Sequence, residues 1–143
     1  MSLLVESKQP SDATLKQFAR LATRDSSPLV RLYLASALQR VPPTKRWDVL
    51  TGLLAHPEDA ADHNQPLMVW YAAEPAVELD MPRALTLAAE TKLRNLFAYT
   101  VRRIAAVGTQ NALRTLTDRL GLTANTMERT ELASGINRIV GKN

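Results

Sequence analysis

The stretch "SSPLVRLYLASALQRV", residues 26–41, decides how the rest of the chain is read. Ser27 followed by Pro28 is a helix start: the serine side chain can accept from a first-turn N–H, and a proline at the first helical position lacks only an N–H that has no intrahelical partner. Val30, Leu34, Ala37 and Val41 then recur as one helical stripe, while Leu29, Leu32 and Tyr33 widen the apolar surface well beyond it. A helix so broadly apolar needs neighbours on more than one side. "VPP" at 41–43 stops it, because proline cannot continue the backbone hydrogen bonding.

Helical periodicity extends in both directions. Before this stretch, Leu15, Phe18 and Ala22 predict a helix from about Asp12 to Arg24, with Ser11 as its cap. After it, a third helix fits Pro43 to Ala55, with Trp47, Leu50 and Leu54 on one face, and a fourth runs from about Gln65 to Glu74, ended by Pro75. Asp80 caps a fifth near Met81 to Thr91. The sixth, near Leu93 to Val107, uses Leu93, Leu96, Phe97, Thr100 and Ile104, with Gly108 as a left-handed stop. Thr109 caps a seventh carrying Leu113, Leu116 and Leu120 and ending at Gly121. The last runs from Thr126 to Val140, where Asn125 and Glu128 have the spacing of a capping box and Leu132, Ile136 and Ile139 form the face. No segment shows sustained period-two alternation, so no sheet is expected.

A chain of 143 residues is long enough for one domain. Its lack of cysteine rules out a disulfide framework, a thiolate metal site, a thiol nucleophile and a covalently attached c-type haem within these residues. No window approaches the ~18 apolar residues of a membrane span, and the first ten residues have no basic leader pattern. Residues 1–11 read as an N-terminal extension or an artificially added leader, and 12–143 as a single helical domain, a fragment of a larger protein. The net charge of +4 is uneven: residues 1–80 carry more acids than bases, and residues 81–143 carry the basic excess. This permits a basic surface in the second half.

The eight helices fall into four pairs, 12–40, 43–78, 80–107 and 109–140. A repeat of that length predicts an all-α fold, an α-α superhelix or solenoid of about four pairs, with a compact helical bundle as its competitor. Asp25, Val30 and Arg31 resemble the inner helix of a HEAT repeat, in which an aspartate in the turn precedes a Val-Arg at the helix start, and this resemblance implies that the single domain 12–143 is HEAT-like.

The polar stretch "EDAADHNQPLMVWYAAEP", residues 58–75, admits two readings. His56, Asp59, Asp62 and His63 offer imidazole and carboxylate to a metal, but the histidines are seven apart, outside the usual ligand spacings, and no third histidine or cysteine supports them. The favoured reading is structural: Asp62 and Asn64 accept from the unpaired N–H groups at a helix start, and the acids suit the positive end of the helix dipole. His63 is then a packed, hydrogen-bonded histidine. On the helix, Pro66, Trp70 and Glu74 share a face, with Met68 and Tyr71 beside them, the aromatics expected to be buried with their polar tips hydrogen-bonded. No elbow, phosphate loop or metalloprotease motif points to catalysis.

The same stretch, with the arginine pair of "YTVRRIAAVG" (99–108) and the closing "GINRIVGK" (135–142), resembles the HEAT-like helical segment of large multidomain proteins from planctomycetes and verrucomicrobia. In those, a propeller similar to sugar or sorbosone dehydrogenases precedes the segment and a c-type cytochrome domain follows. The matching residues are Glu58, Asp59, Asp62, His63 and Asn64 in the turn, Pro66 to Met68, Trp70, Tyr71, Glu74 and Pro75 on the helix, and Arg102 and Arg103. Gln65 stands where an aliphatic residue is expected. The resemblance implies a module of an exported protein, without the propeller or haem motif, and therefore without their activities or a cofactor of its own. It implies a protein partner: neighbouring domains of the parent chain or a separate protein, with self-association through exposed stack ends as a further expectation. Nucleic acid is the weaker alternative. Arg94, Arg102 and Arg103, with Lys92, Arg114 and Arg119, could form a basic stripe, but consecutive helical residues point about 100° apart, so one of the arginine pair is expected to meet Glu90 or the acidic turn instead.

Overall fold

The computed structural model describes residues 9–93 and 95–141. Among these the chain is all-helical, with eight α-helices and two short 3-10 turns. They are α1 (Asp12–Arg24), α2 (Pro28–Leu38), α3 (Trp47–Leu53), α4 (Gln65–Val77), α5 (Met81–Glu90), α6 (Leu96–Val107), α7 (Gln110–Leu122) and α8 (Thr126–Val140). The 3-10 turns, Pro43–Lys45 and Pro57–Ala61, precede α3 and α4. Five of the expected caps form: Ser11, Ser27, Asp80, Thr109 and Asn125 each accept a backbone N–H three residues on. Gly108 takes the left-handed conformation at φ 71° that ends α6.

Apart from each helix with the next, the extensive helix contacts join α1 with α3, α2 with α4, α4 with α6, α6 with α8 and α5 with α7. The even-numbered helices therefore form one continuous row, against which the odd-numbered helices pack. Two apolar clusters lie beneath, one chiefly under α1 to α4 and one chiefly under α5 to α8, and Trp47 and Trp70 pack against both. Two glycines mark close helix approaches. A Cβ on Gly52 of α3 would lie 2.6 Å from Thr23 Oγ1 and 2.9 Å from the Thr23 backbone nitrogen on α1. One on Gly135 of α8 would lie 2.7 Å from Val101 Cγ1 on α6.

Several boundaries differ from the sequence expectation. Pro75 does not end α4; the helix continues to Val77. The proline gives up one backbone hydrogen bond and crowds the carbonyl four residues back, a cost offset because continuing the helix buries Ala76 and Val77, which are 0% and 2% exposed. Arg46, itself 4% exposed, donates from Nη1 to the adjacent Ala72 carbonyl at 2.8 Å. Gly121 lies inside α7, which runs one residue further. Arg129 Nη1 then closes that end by donating to the Leu120 and Thr123 carbonyls, each at 2.9 Å. α6 begins at Leu96 rather than Leu93, because Asn95 adopts φ 66° and breaks the helical path. The third helical segment is split, since the 3-10 turn at Pro43–Lys45 precedes the α-helix.

On α2 the buried face is Arg31, Leu34, Ala35 and Leu38. Leu29 and Tyr33 remain 56% and 66% exposed, so the breadth of apolar surface is not consumed by the packing described.

Candidate functional site

The acidic turn is built around a charge from another helix pair. Pro57 opens the 3-10 turn, whose Asp59 N–H donates to the His56 carbonyl at 3.1 Å and whose end is marked by the Asp62 N–H donating to the Asp59 carbonyl at 3.1 Å. This winding turns the Asp59 side chain inward, where it is 3% exposed. Arg31 of α2, fully buried, meets it with a two-pronged contact: Nε donates to Oδ2 and Nη2 to Oδ1, both at 2.7 Å. The remaining prong, Nη1, donates to the Asp25 carbonyl at 2.8 Å. The charge-assisted bonds to Asp59 raise the Arg31 pKa above its ordinary value, outweighing the opposing effect of burial.

Around this pair the outer groups are also engaged. His56 Nε2 lies 2.6 Å from the Ala22 carbonyl at the end of α1, and Nδ1 lies 3.1 Å from Glu58 Oε2. Both ring nitrogens thus face oxygen atoms, which pins the ring between the end of α1 and the turn. Glu58, largely exposed, lies 3.6 Å from Arg31 Nη2. Its pKa is lowered, first by its own backbone N–H and then by His56. Asp62 Oδ1 accepts the N–H groups of Asn64 at 2.7 Å and Gln65 at 2.9 Å, and these bonds, that from Gln65 foremost, lower its pKa.

Asp62 thus caps α4, whereas the Asn64 side chain makes no cap bond. His63 is exposed; the packed histidine is His56, because α1 ends above it. Trp70 is half-buried and stacks at a 43° tilt on Tyr99, ring centres 5.5 Å apart. Tyr71 is 50% exposed, contrary to the burial expected for it, since it lines an open groove between α4 and α2 rather than the core. Glu74 faces solvent and lies 4.0 Å from Arg103. Among the described residues no group of three or more His, Cys, Asp or Glu side chains is placed to hold a metal ion. Of the four metal candidates, Asp59 is taken by Arg31, Asp62 by backbone, and His56 by a carbonyl and Glu58.

The arginine pair diverges as its spacing requires, but neither member meets Glu90 or the acidic turn. Arg103 Nη2 donates to Glu78 at 2.8 Å, joining α6 to the end of α4, and Arg102 points toward Glu131 of α8 at 3.9 Å. Arg94 lies outside the described residues. Arg119 pairs with Glu128 at 3.3 Å.

Sequence reasoning missed Arg46. Its three prongs donate to the carbonyls of Val41, Ala72 and Gln39 at 2.8, 2.8 and 3.2 Å, and burial lowers its pKa. The available signal was its place after "PPTK", where a chain reversal leaves carbonyls without helical partners. Comparison of the chain with protein-family models, curated proteins and solved structures finds no match.

Proposed function

We propose that this chain is a noncatalytic helical-repeat module, HEAT-like and built from four stacked helix pairs. It would hold neighbouring domains of a larger protein, or present one face to a protein partner. The observation that carries this reading is the buried Arg31–Asp59 pair. It ties the second helix of the first pair to the turn within the second pair, 28 residues on, and so acts as a bond between successive units. The contacts between alternate helices support the same stacking. The acids of the turn serve helix ends and a structural arginine, which favours a lock over a reactive centre. Placement within an exported, dehydrogenase-like protein rests on the sequence resemblance in the turn and on α4.

The test is a thermal-shift series on the full chain with nucleotides, sugars and single- and double-stranded DNA at low salt. A module of this kind keeps the same midpoint throughout. A DNA-induced rise that salt abolishes, and that Arg102→Ala or Arg103→Ala removes, would replace the proposal with nucleic-acid binding.

A further inference from the structure

The outward side of the even-numbered row is graded in chemistry. Between α2 and α4 runs an open groove of about 460 Å³ lined by Leu32, Tyr33, Ser36, Asn64, Leu67, Met68 and Tyr71, none of them charged. Tyr33, Leu67 and Tyr71 are 66%, 40% and 50% exposed, and Leu29 on the same helix as Tyr33 is 56% exposed. Among the described residues, half of the exposed large hydrophobics therefore sit on these two helices. Leu67 also lines the next groove, between α4 and α6, together with Tyr99. One turn along α6 from Tyr99, Arg102 lines a third groove of about 490 Å³ between α6 and α8, opposite Asn137 and Arg138. Among the described residues Arg138 has no ion-pair partner, and Arg102 reaches Glu131 only at 3.9 Å, beyond hydrogen-bond distance.

We infer that this row is a docking face for a peptide segment of another protein, with aromatic or aliphatic side chains at one end and acidic side chains at the other. The apolar end enters the Tyr33–Tyr71 groove, and the acids meet Arg102 and Arg138. Exposed tyrosines supply rigid contact area at little entropic cost, and guanidiniums without a close partner select carboxylates. The charge pattern favours a peptide over a nucleic acid. Among the described residues, Arg103 in the middle of the row is already paired with Glu74 and Glu78, and Asp62 lines the groove there, so that stretch offers a continuous polyanion no unpaired guanidinium, whereas a peptide can confine its acids to the α6–α8 end.

This inference rests on the interaction-module reading, and one experiment separates the two. A random dodecapeptide phage library is selected on the immobilised full chain, and enriched peptides are synthesised and titrated by fluorescence anisotropy. The expected consensus is an aromatic-aliphatic block next to an Asp/Glu block. Tyr71→Ala and the Arg102→Ala/Arg138→Ala double variant should each weaken binding about tenfold or more, and the arginine variant should also flatten the salt dependence. Peptides that bind equally well to these folded variants, or that lack the acidic block, overturn the docking face while leaving the interaction module standing. No enrichment over bare support, with the chain shown folded by circular dichroism, overturns both.

Discussion

Replacing Asp59 by alanine leaves the buried Arg31 guanidinium with one of its three short acceptors, the Asp25 carbonyl. Two charge-assisted bonds are lost, and breaking a buried pair by removing one partner typically costs about 3–5 kcal/mol. Glu58 lies 3.6 Å from the same guanidinium and is 61% exposed, so it can swing inward at the expense of its contact with His56, which places Asp59→Ala near the lower end, about 3 kcal/mol. At roughly 3 °C per kcal/mol for a domain of this size, the melting midpoint falls by about 10 °C. The assay is reversible thermal and urea unfolding by far-UV circular dichroism on wild type, Asp59→Ala, and the cycle of Arg31→Met, Asp59→Leu and Arg31→Met/Asp59→Leu. The double variant removes both charges and keeps apolar volume, so it should recover most of the loss, with a coupling energy of about 2 kcal/mol or more. If Asp59→Ala stays within about 1 kcal/mol of wild type, or if the double variant is as unstable as the two singles summed, the pair is not a bond between units.

Gly52→Ala places a methyl against the α1 backbone and should destabilise by about 1 kcal/mol net, overpacking partly offset by helix propensity. Gly121→Ala, where an added Cβ meets nothing within 4 Å, should stabilise by up to about 1 kcal/mol, so urea midpoints of the two move in opposite directions. Arg46→Lys keeps the charge but loses the fork that serves three carbonyls, and should cost about 2 kcal/mol, measured in the same way. The folded pKa values of Glu58 and Asp62 lie below their ordinary 4.5 and 3.8, so their contribution is present above those values and is lost as pH falls through the lower folded ones. The melting midpoint should therefore drop below about pH 4.5, and less steeply in Asp62→Asn, which keeps a cap acceptor but cannot titrate.

Most of the helical architecture was legible because its signals are local. A Ser, Thr, Asp or Asn ahead of an apolar-periodic run marks a helix start within three residues, and Ser11, Ser27, Asp80, Thr109 and Asn125 all do so. Pro75 misled because what carries α4 past it is the burial of Ala76 and Val77 against other helices, which no local propensity records. Arg31 was singled out by its place at a helix start, and Asp59 by its place in an acidic turn, yet their partnership spans 28 residues and depends on how α2 stacks on α4. The packed histidine is His56 rather than His63 for the same kind of reason: the Ala22 carbonyl that holds it is 34 residues away. Tyr71 has the composition of a core residue, and only the row of even-numbered helices reveals that it faces outward.

The claim that the turn at 56–64 is a structural lock within a noncatalytic stack is tested most directly by thermal melts with Zn²⁺, Mn²⁺, Ca²⁺ or chelator, on wild type, Asp62→Ala and His63→Ala. A structural lock gives wild-type melts that superimpose under all four conditions, a midpoint lowered in Asp62→Ala through loss of its cap, and a midpoint unchanged in exposed His63→Ala. A metal that raises the wild-type midpoint, with the rise abolished in both variants, would make the turn a binding site and contradict the account.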